Sequence, residues 1–406
     1  MSRGGFLDEV VFADNTNWQE DEDYLDELIG GEELYKKSVM SHRGGWFHDV
    51  WNNLATDDNT LYIKIDDDVV SANLSDSALS TPADIKSQGV IDDDAIPRMV
   101  KTLMAHPEAH AIGANLINSP LTNWLHYHTN AVLPYLPDPT VPKEPREKRN
   151  LTSWRASDLP RYAGPHTGKW ELPDFSKRPG SGWPIGSKEG PPADGHRWLP
   201  LADNAVNLHT TPIASGARYD AFGTALSQWH IPAQQHYSFL QRLEQKALDK
   251  YHFGNKDGIW NMQFDRYNLN FVATWGRNVN MMSVTSDDEQ AMTVDIPRAL
   301  KKRKSHPHMC HSLALKQEKK NKKKNKRIRN PLTDDYITAF LVDTHAIIAH
   351  YSFGHTMVEL DQTDLLDRYR LYANEMVCAP DNQKKELAQK FNPKGNKTPM
   401  KDESRS

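Results

Sequence analysis

The sequence predicts an α/β fold, a mostly parallel sheet flanked by helices, on three observations. A short apolar run, Leu61-Tyr62-Ile63-Lys64-Ile65, ends directly in three carboxylates, Asp66-Asp67-Asp68. Strand-like and helix-like stretches alternate through the first third of the chain. A second acidic group, Asp287-Asp288-Glu289, opens a helical pattern far downstream. Alternation of this kind builds βαβ units, and their ligands sit beyond the carboxyl ends of the strands, where the first acidic triplet falls.

Taken in order, Phe6 to Ala13 reads as a strand, and Asp14-Asn15-Thr16 supplies residues that cap a following turn or helix. Glu20 to Ile29 places Tyr24, Leu25 and Leu28 on one face of a short acidic helix, which Gly30-Gly31 ends. Tyr35 to Met40 reads as a second strand, and Trp46 to Leu54 has Phe47, Val50, Trp51 and Leu54 at helical spacing. The strand carrying the triplet follows.

Residues 71–90 are rich in Ser, Asp and Ala and read as a disordered loop inserted beside that strand end. Ala95 to Ala105 has Ile96, Met99, Val100 and Leu103 on one stripe, a helix, and Ala109 to Ile117 is a strand. Pro134 to Pro200, crowded with Pro, Gly and Trp, suits an irregular surface excursion more than a second core. Tyr237 to Leu248 is helical. Lys301 to Asn330 is dominated by Lys and Arg and reads as solvated, part of an insertion over about 303–340. Leu341 to Phe353 resumes a folded pattern, and residues 384–406 form a disordered tail after a domain spanning 6–383.

The chain has 406 residues, enough for a substantial core, and its hydrophobic content of 38% fits long polar stretches beside a folded part. A formal charge of −5 gives no global reason to expect nucleic acid or membrane as partner. The two cysteines, Cys310 and Cys378, fit neither a disulfide framework nor a zinc set. No apolar leader and no membrane-spanning run is present, so the chain as written reads as soluble and cytoplasmic; a start lying further upstream would allow secretory or Golgi membrane association.

Three adjacent carboxylates repel one another, and a divalent cation among them offsets that repulsion. Asp66-x-Asp68 suits a hard cation that grips the phosphates of a substrate. An EF-hand needs Gly and Glu where Ser71 and Ser77 stand, and an aspartyl-phosphate phosphatase wants a small hydroxyl residue where Val70 stands. The plain alternative is that the triplet caps a turn. For Asp287-Asp288-Glu289 the plain reading is again a helix N-terminus, and the functional one is a general base that deprotonates an acceptor hydroxyl.

His126, Tyr127 and His128 alternate as on a strand, giving a polar wall or hydrogen-bonded core in preference to a metal pair. Trp124, Trp229, Trp260 and Trp275 fill core in preference to stacking on sugars.

These residues resemble the nucleotide-sugar glycosyltransferases of the GT-A fold, particularly family-two-like enzymes and a set of similar fungal proteins. Tyr62 to Asp68 looks like the DxD strand, Asn261 to Arg266 through Trp275-Gly276 like the strand and helix before the catalytic acid, and Asp288-Glu289-x-x-Met292 like a Glu-Asp-x-x-Leu motif with its acids reversed. The likeness extends to Ala114 to Leu121, Trp124 to His128 and Val342 to Phe353, about half of the chain.

It implies a metal-dependent, inverting transfer from a nucleoside-diphosphate-sugar donor to an acceptor hydroxyl of unknown identity. Asp66 and Asp68 would bind Mn²⁺ or Mg²⁺, with His345 or His350 completing the shell. Asp67 would orient the donor's sugar or ribose, and Asp14 or Asn15 would contact the nucleoside. Asp288 or Glu289 would be the base. Relative to that family the chain lacks the opening strand, and 71–90 and 303–340 interrupt segments that run unbroken elsewhere. An inactive relative serving as a binding module and a magnesium-dependent phosphatase are the competing expectations. The basic run attracts phosphate only nonspecifically, so no specific nucleic acid is expected.

Overall fold

A computed structural model describes residues 7–31, 33–40, 48–66, 95–138, 140, 143–144, 146, 151–162, 194–201, 219, 228–281, 284–305, 339–351 and 356–378. The loop expected at 71–90, nearly all of the insertion at 303–340 and the tail at 384–406 lie outside them. The edges of that insertion belong to regular elements, a helix ending at Ser305 and a strand beginning at Ala339.

The chain opens with a βαβ unit as expected. Strand β1 (Val10–Asp14) and strand β2 (Tyr35–Val39) pair in parallel through helix α1 (Gln19–Gly30). Asp14 ends β1 by accepting the Thr16 N–H at 3.3 Å, and Thr16 Oγ1 accepts the Trp18 N–H at 3.1 Å, so the polar triplet closes the turn into the helix. Helix α2 (His48–Leu54) then leads into strand β3 (Leu61–Ile65), helix α3 (Ala95–Ala105) and strand β4 (Ala109–Ile117). The expected stripe of α3 is buried at Ile96, Met99 and Leu103.

After β4 come helix α4 (Pro120–His128), a short antiparallel pair β5 (Tyr135–Pro137) and β6 (Trp198–Pro200), and helix α5 (His230–Glu244). Strand β7 (Ile259–Asn261), strand β8 (Phe271–Trp275) and the short helix α6 (Gly276–Val279) follow. A helical turn α7 (Asp288–Gln290) runs through a π-helical turn at Ala291–Asp295 into helix α8 (Ile296–Ser305). Strand β9 (Ala339–Ala349) and helices α9 (Met357–Asp361) and α10 (Leu365–Tyr372) complete the described chain.

The main sheet has five strands in the order β3-β8-β4-β9-β7. It is mixed where a mostly parallel order was expected: β4 and β9 pair in parallel, while β8 runs antiparallel to both β3 and β4, and β7 antiparallel to β9. The crossover through α3 does send β3 and β4 in the same direction. It does not make them neighbours, because β8 enters between them from a distant part of the sequence, and local periodicity carries no information about such a partner.

Trp51 of α2, Met99 and Leu103 of α3, and Met292 and Ile296 are buried in one cluster with the sheet residues Ile112, Phe271, Val272 and Phe340, which come from both faces of the sheet. Each large side chain so buried contributes about 1.5–3 kcal/mol. At the β8–α6 junction Gly276 donates its N–H to Thr60 O at 2.9 Å, and an added Cβ would lie 2.0 Å from the carbonyl oxygen of Asp57. Gly276→Ala is therefore expected to lower stability by about 2 kcal/mol or more, within the range for overpacking, measured as a drop in denaturation midpoint.

Two further expectations are corrected. Where a surface excursion was expected over Pro134 to Pro200, the described residues Tyr135, Leu136, Trp154, Trp198 and Leu199 are buried together with Trp229, Tyr237 and Phe239 of the α5 region and Leu365 and Tyr369 of α10, a second core; residues 163–193 lie outside the described residues. Strands β5 and β6 have three residues each, too short for a period to show in the sequence, so only the assembly of these residues reveals the core. His126, Tyr127 and His128 lie on α4 rather than a strand, because Pro120 at the first helical position is already set to helical φ. His126 is buried against Asn115 Oδ1 at 2.9 Å, and His128 is exposed. Among the described residues no helix is long and apolar enough to cross a membrane.

Candidate active site

Asp66 stands one residue past β3, where its N–H continues the ladder by donating to Asn270 O at 2.9 Å. Its carboxylate is only partly exposed and holds two donors: Oδ1 pairs with the ammonium of Lys64, and Oδ2 accepts Asn270 Nδ2 at 3.1 Å. Lys64 is itself buried and also donates to Leu269 O at 3.2 Å. Asp67 and Asp68 lie outside the described residues.

The stretch entering β8 organises everything around Asp66. Tyr267, Leu269 and Phe271 are buried in the main core, and the alternate residues Arg266, Asn268 and Asn270 make the polar contacts described here. This is the two-residue side-chain period of an extended chain. Arg266 donates from Nε and Nη2 to Glu289 Oε2 at 2.9 and 2.8 Å, and from Nη1 to Asp287 Oδ2 at 2.7 Å. Asn268 donates from Nδ2 to Glu289 Oε1 at 2.7 Å, and its Oδ1 accepts the Ser119 hydroxyl at 2.6 Å. Asn270 holds Asp66.

Asp66 and Glu289 are thus gripped by Asn270 and Asn268, two residues apart on the one stretch that leads into β8. The orientation of both amides is set, since a carboxylate only accepts and so must face the NH₂ end. In Asn270 this leaves Oδ1 buried with no donor among the described residues.

The three downstream acids divide. Asp287 is the N-cap of α7, accepting the Gln290 N–H at 3.0 Å. Asp288 turns inward, 8% exposed, and accepts Trp51 Nε1 at 3.2 Å. Glu289 faces the ladder, and Thr293, in the π-helical turn, ties its backbone by donating to Glu289 O at 2.6 Å while accepting the Tyr267 N–H at 3.3 Å. Burial pushes the Glu289 carboxyl above its ordinary range, and the hydrogen bonds and charge of Arg266, with the Asn268 amide, pull against that. Arg266 thereby helps keep an ionised carboxylate where burial favours the neutral acid.

Other expected site residues sit elsewhere. His345 is on β9, three strand spacings from β3 and so separated from it by about 14 Å of sheet. Its Nδ1 is 2.7 Å from Arg98 Nη2, its ring lies 4.1 Å from that of His252, and its Nε2 occupies the space a side chain at Gly258 would need. Two ligands of one cation must lie within about 5 Å of each other, so His345 and Asp66 are not brought to a shared ion. His350 is buried against Asn118 O at 2.9 Å. Asp14 is buried at the end of β1 with Asn15 beside it, both within the turn into α1. Trp229 is core, as expected, Trp275 is half-buried, and Trp124 and Trp260 are 38% and 39% exposed.

A divalent cation needs several oxygen ligands, and Asp66 alone does not supply them; among the described residues no group of three acidic, His or Cys side chains converges. The functional residues that motif reading passes over are Lys64, Arg266, Asn268 and Asn270. Their signal is present in the alternation Arg266-Tyr267-Asn268-Leu269-Asn270-Phe271, which writes out a half-buried strand with an unusually polar exposed edge. Comparison with protein-family models, curated proteins and solved structures found no match to this chain.

Proposed function

We propose that the protein transfers a sugar from a nucleoside-diphosphate-sugar donor to an acceptor hydroxyl, with inversion at the anomeric carbon. The observation that carries this reading is the ladder from Arg266 to Asn270, which holds Asp66 and Glu289 side by side although 223 residues of sequence number separate them (289 − 66). Glu289 takes the proton of the acceptor hydroxyl as its oxygen bonds to the anomeric carbon, and the bond from that carbon to the diphosphate oxygen breaks with its electron pair on the diphosphate. Asp66 and Asp68 are the ligands proposed for Mn²⁺ or Mg²⁺, which when bound neutralises charge on the diphosphate. Asp67 is proposed to orient the sugar or ribose.

A panel of nucleotide sugars with Mn²⁺, read by thermal stabilisation and by donor hydrolysis, tests the reading. Stabilisation by one nucleotide sugar together with metal-dependent turnover is expected; an unaltered melting curve across the panel rejects it. A second reading is favoured by one observation: both acids of the proposed reaction among the described residues are already paired with a cation, Asp66 with Lys64 and Glu289 with Arg266, which it shares with Asp287. Such pairing suits a binding module without turnover, which the same panel reports as stabilisation without hydrolysis.

The pH dependence of turnover follows from Glu289. The base works only when ionised, so the rate falls as pH drops through its raised pKa, and the acid limb lies above the ordinary glutamate value of about 4.3. Arg266→Met removes the main opposing influence, raises that pKa further and moves the acid limb to higher pH. An unmoved limb would assign the base elsewhere.

A further inference from the structure

Away from Asp66, the second core carries a cavity of about 230 Å³ that no part of the proposed reaction uses. Its apolar side includes Leu133 and Leu201, and its polar side is formed by Arg161, Gln241, Arg242 and Gln245. An apolar floor with a few convergent polar groups is the ordinary composition of a ligand pocket, and the volume suits something smaller than a drug-sized molecule.

The two guanidiniums decide which ligand. Arg161 donates to Leu201 O at 3.3 Å, and Arg242 donates to Ala131 O at 3.1 Å and Asn130 O at 3.4 Å. Backbone carbonyls hold both side chains in place, and neutral acceptors do so without cancelling their charge. The nearest acid on the same helix, Glu244, is engaged by the N–H and hydroxyl of Ser157. Against the two positive charges stand the Glu244 carboxylate, whose neutral donors leave its charge in place, and the carboxyl end of α5, worth about half a negative charge, which together leave the cavity with a small positive excess. Tyr135 donates its hydroxyl to Gln241 Oε1 at 2.7 Å, which turns the Gln241 NH₂ group away as a further donor. The wall is rich in donors, and none of the described residues that line it is acidic.

We propose that this cavity binds a small oxyanion attached to a compact apolar body, a phosphate monoester being the class that best matches two guanidinium forks above leucine side chains. The phosphate accepts from Arg161 and Arg242, and the apolar part lies on Leu133 and Leu201. The site is independent of the sugar-transfer reading.

Phenyl phosphate is the probe, titrated into the whole protein by calorimetry and followed by thermal stabilisation, with inorganic phosphate and phenol as the two halves. Phenyl phosphate is expected to bind more tightly than either half, and added NaCl to weaken it. Arg161 is exposed and holds a single carbonyl, so Arg161→Met should leave the melting temperature of the free protein near that of the parent while lowering affinity about tenfold, the loss of one charge-assisted pair. Arg161→Lys should recover part of it. The proposal is overturned if millimolar phenyl phosphate leaves the parent protein unaffected, or if Arg161→Met binds it as tightly as the parent does.

Discussion

Glu289→Gln is expected to reduce the proposed sugar transfer at saturating donor by about 10²–10⁴-fold, the usual contribution of a positioned general base. The substitution keeps the shape of the side chain and leaves one oxygen to accept from Arg266 or Asn268, so the folded state should persist. Asp288→Asn provides the contrast. Asp288 is turned to the Trp51 indole, whose N–H an asparagine oxygen still accepts, so turnover should stay within a few-fold of the parent. Measured rate constants for the two variants separate neighbouring acids that the sequence leaves equivalent. Equal losses in both, or a greater loss at Asp288, would transfer the base to the inward-facing residue.

Trp198→Ala is expected to be the most destabilising single change in the second core, by about 3–5 kcal/mol, seen as a large fall in denaturation midpoint. Trp198 has no exposed surface and packs edge-on against Trp229 with ring centroids 5.6 Å apart. Truncating it removes a large buried area and leaves a cavity between β6 and α5. Trp260→Ala, at a site 39% exposed, serves as the control and should cost far less, because much of that ring is already in water. A mild effect at Trp198 would restore the surface-excursion view of the segment around it.

How far the sequence could be read depends on how local each cause is. β3, α3 and β4 were legible with their observed boundaries, since each is written in a run of residues whose period is its own. The neighbours of β3 and β4 in the sheet were not, because β8 arrives from far along the chain. His126 to His128 read as a strand for a different reason: the alternating histidines imitate one, while the decisive residue, Pro120, stands at the first position of the helix, upstream of both. At the site, acid clusters were legible as charge that needs a partner. The partners themselves, Lys64 and Arg266, were not, since a basic residue declares no acid until the fold supplies one.

The ladder at Arg266, Asn268 and Asn270 has a consequence for what changes the chain tolerates. Its polar rungs and the core residues between them exchange sides with every step of one residue. A single-residue insertion or deletion in this stretch would swing Tyr267 and Leu269 out toward the acids and drive the guanidinium and the amides into the interior. Substitutions here are graded in their effects, but length is all or nothing. The same short stretch counts residues both for the core and for the carboxylates, so neither can drift in register without the other.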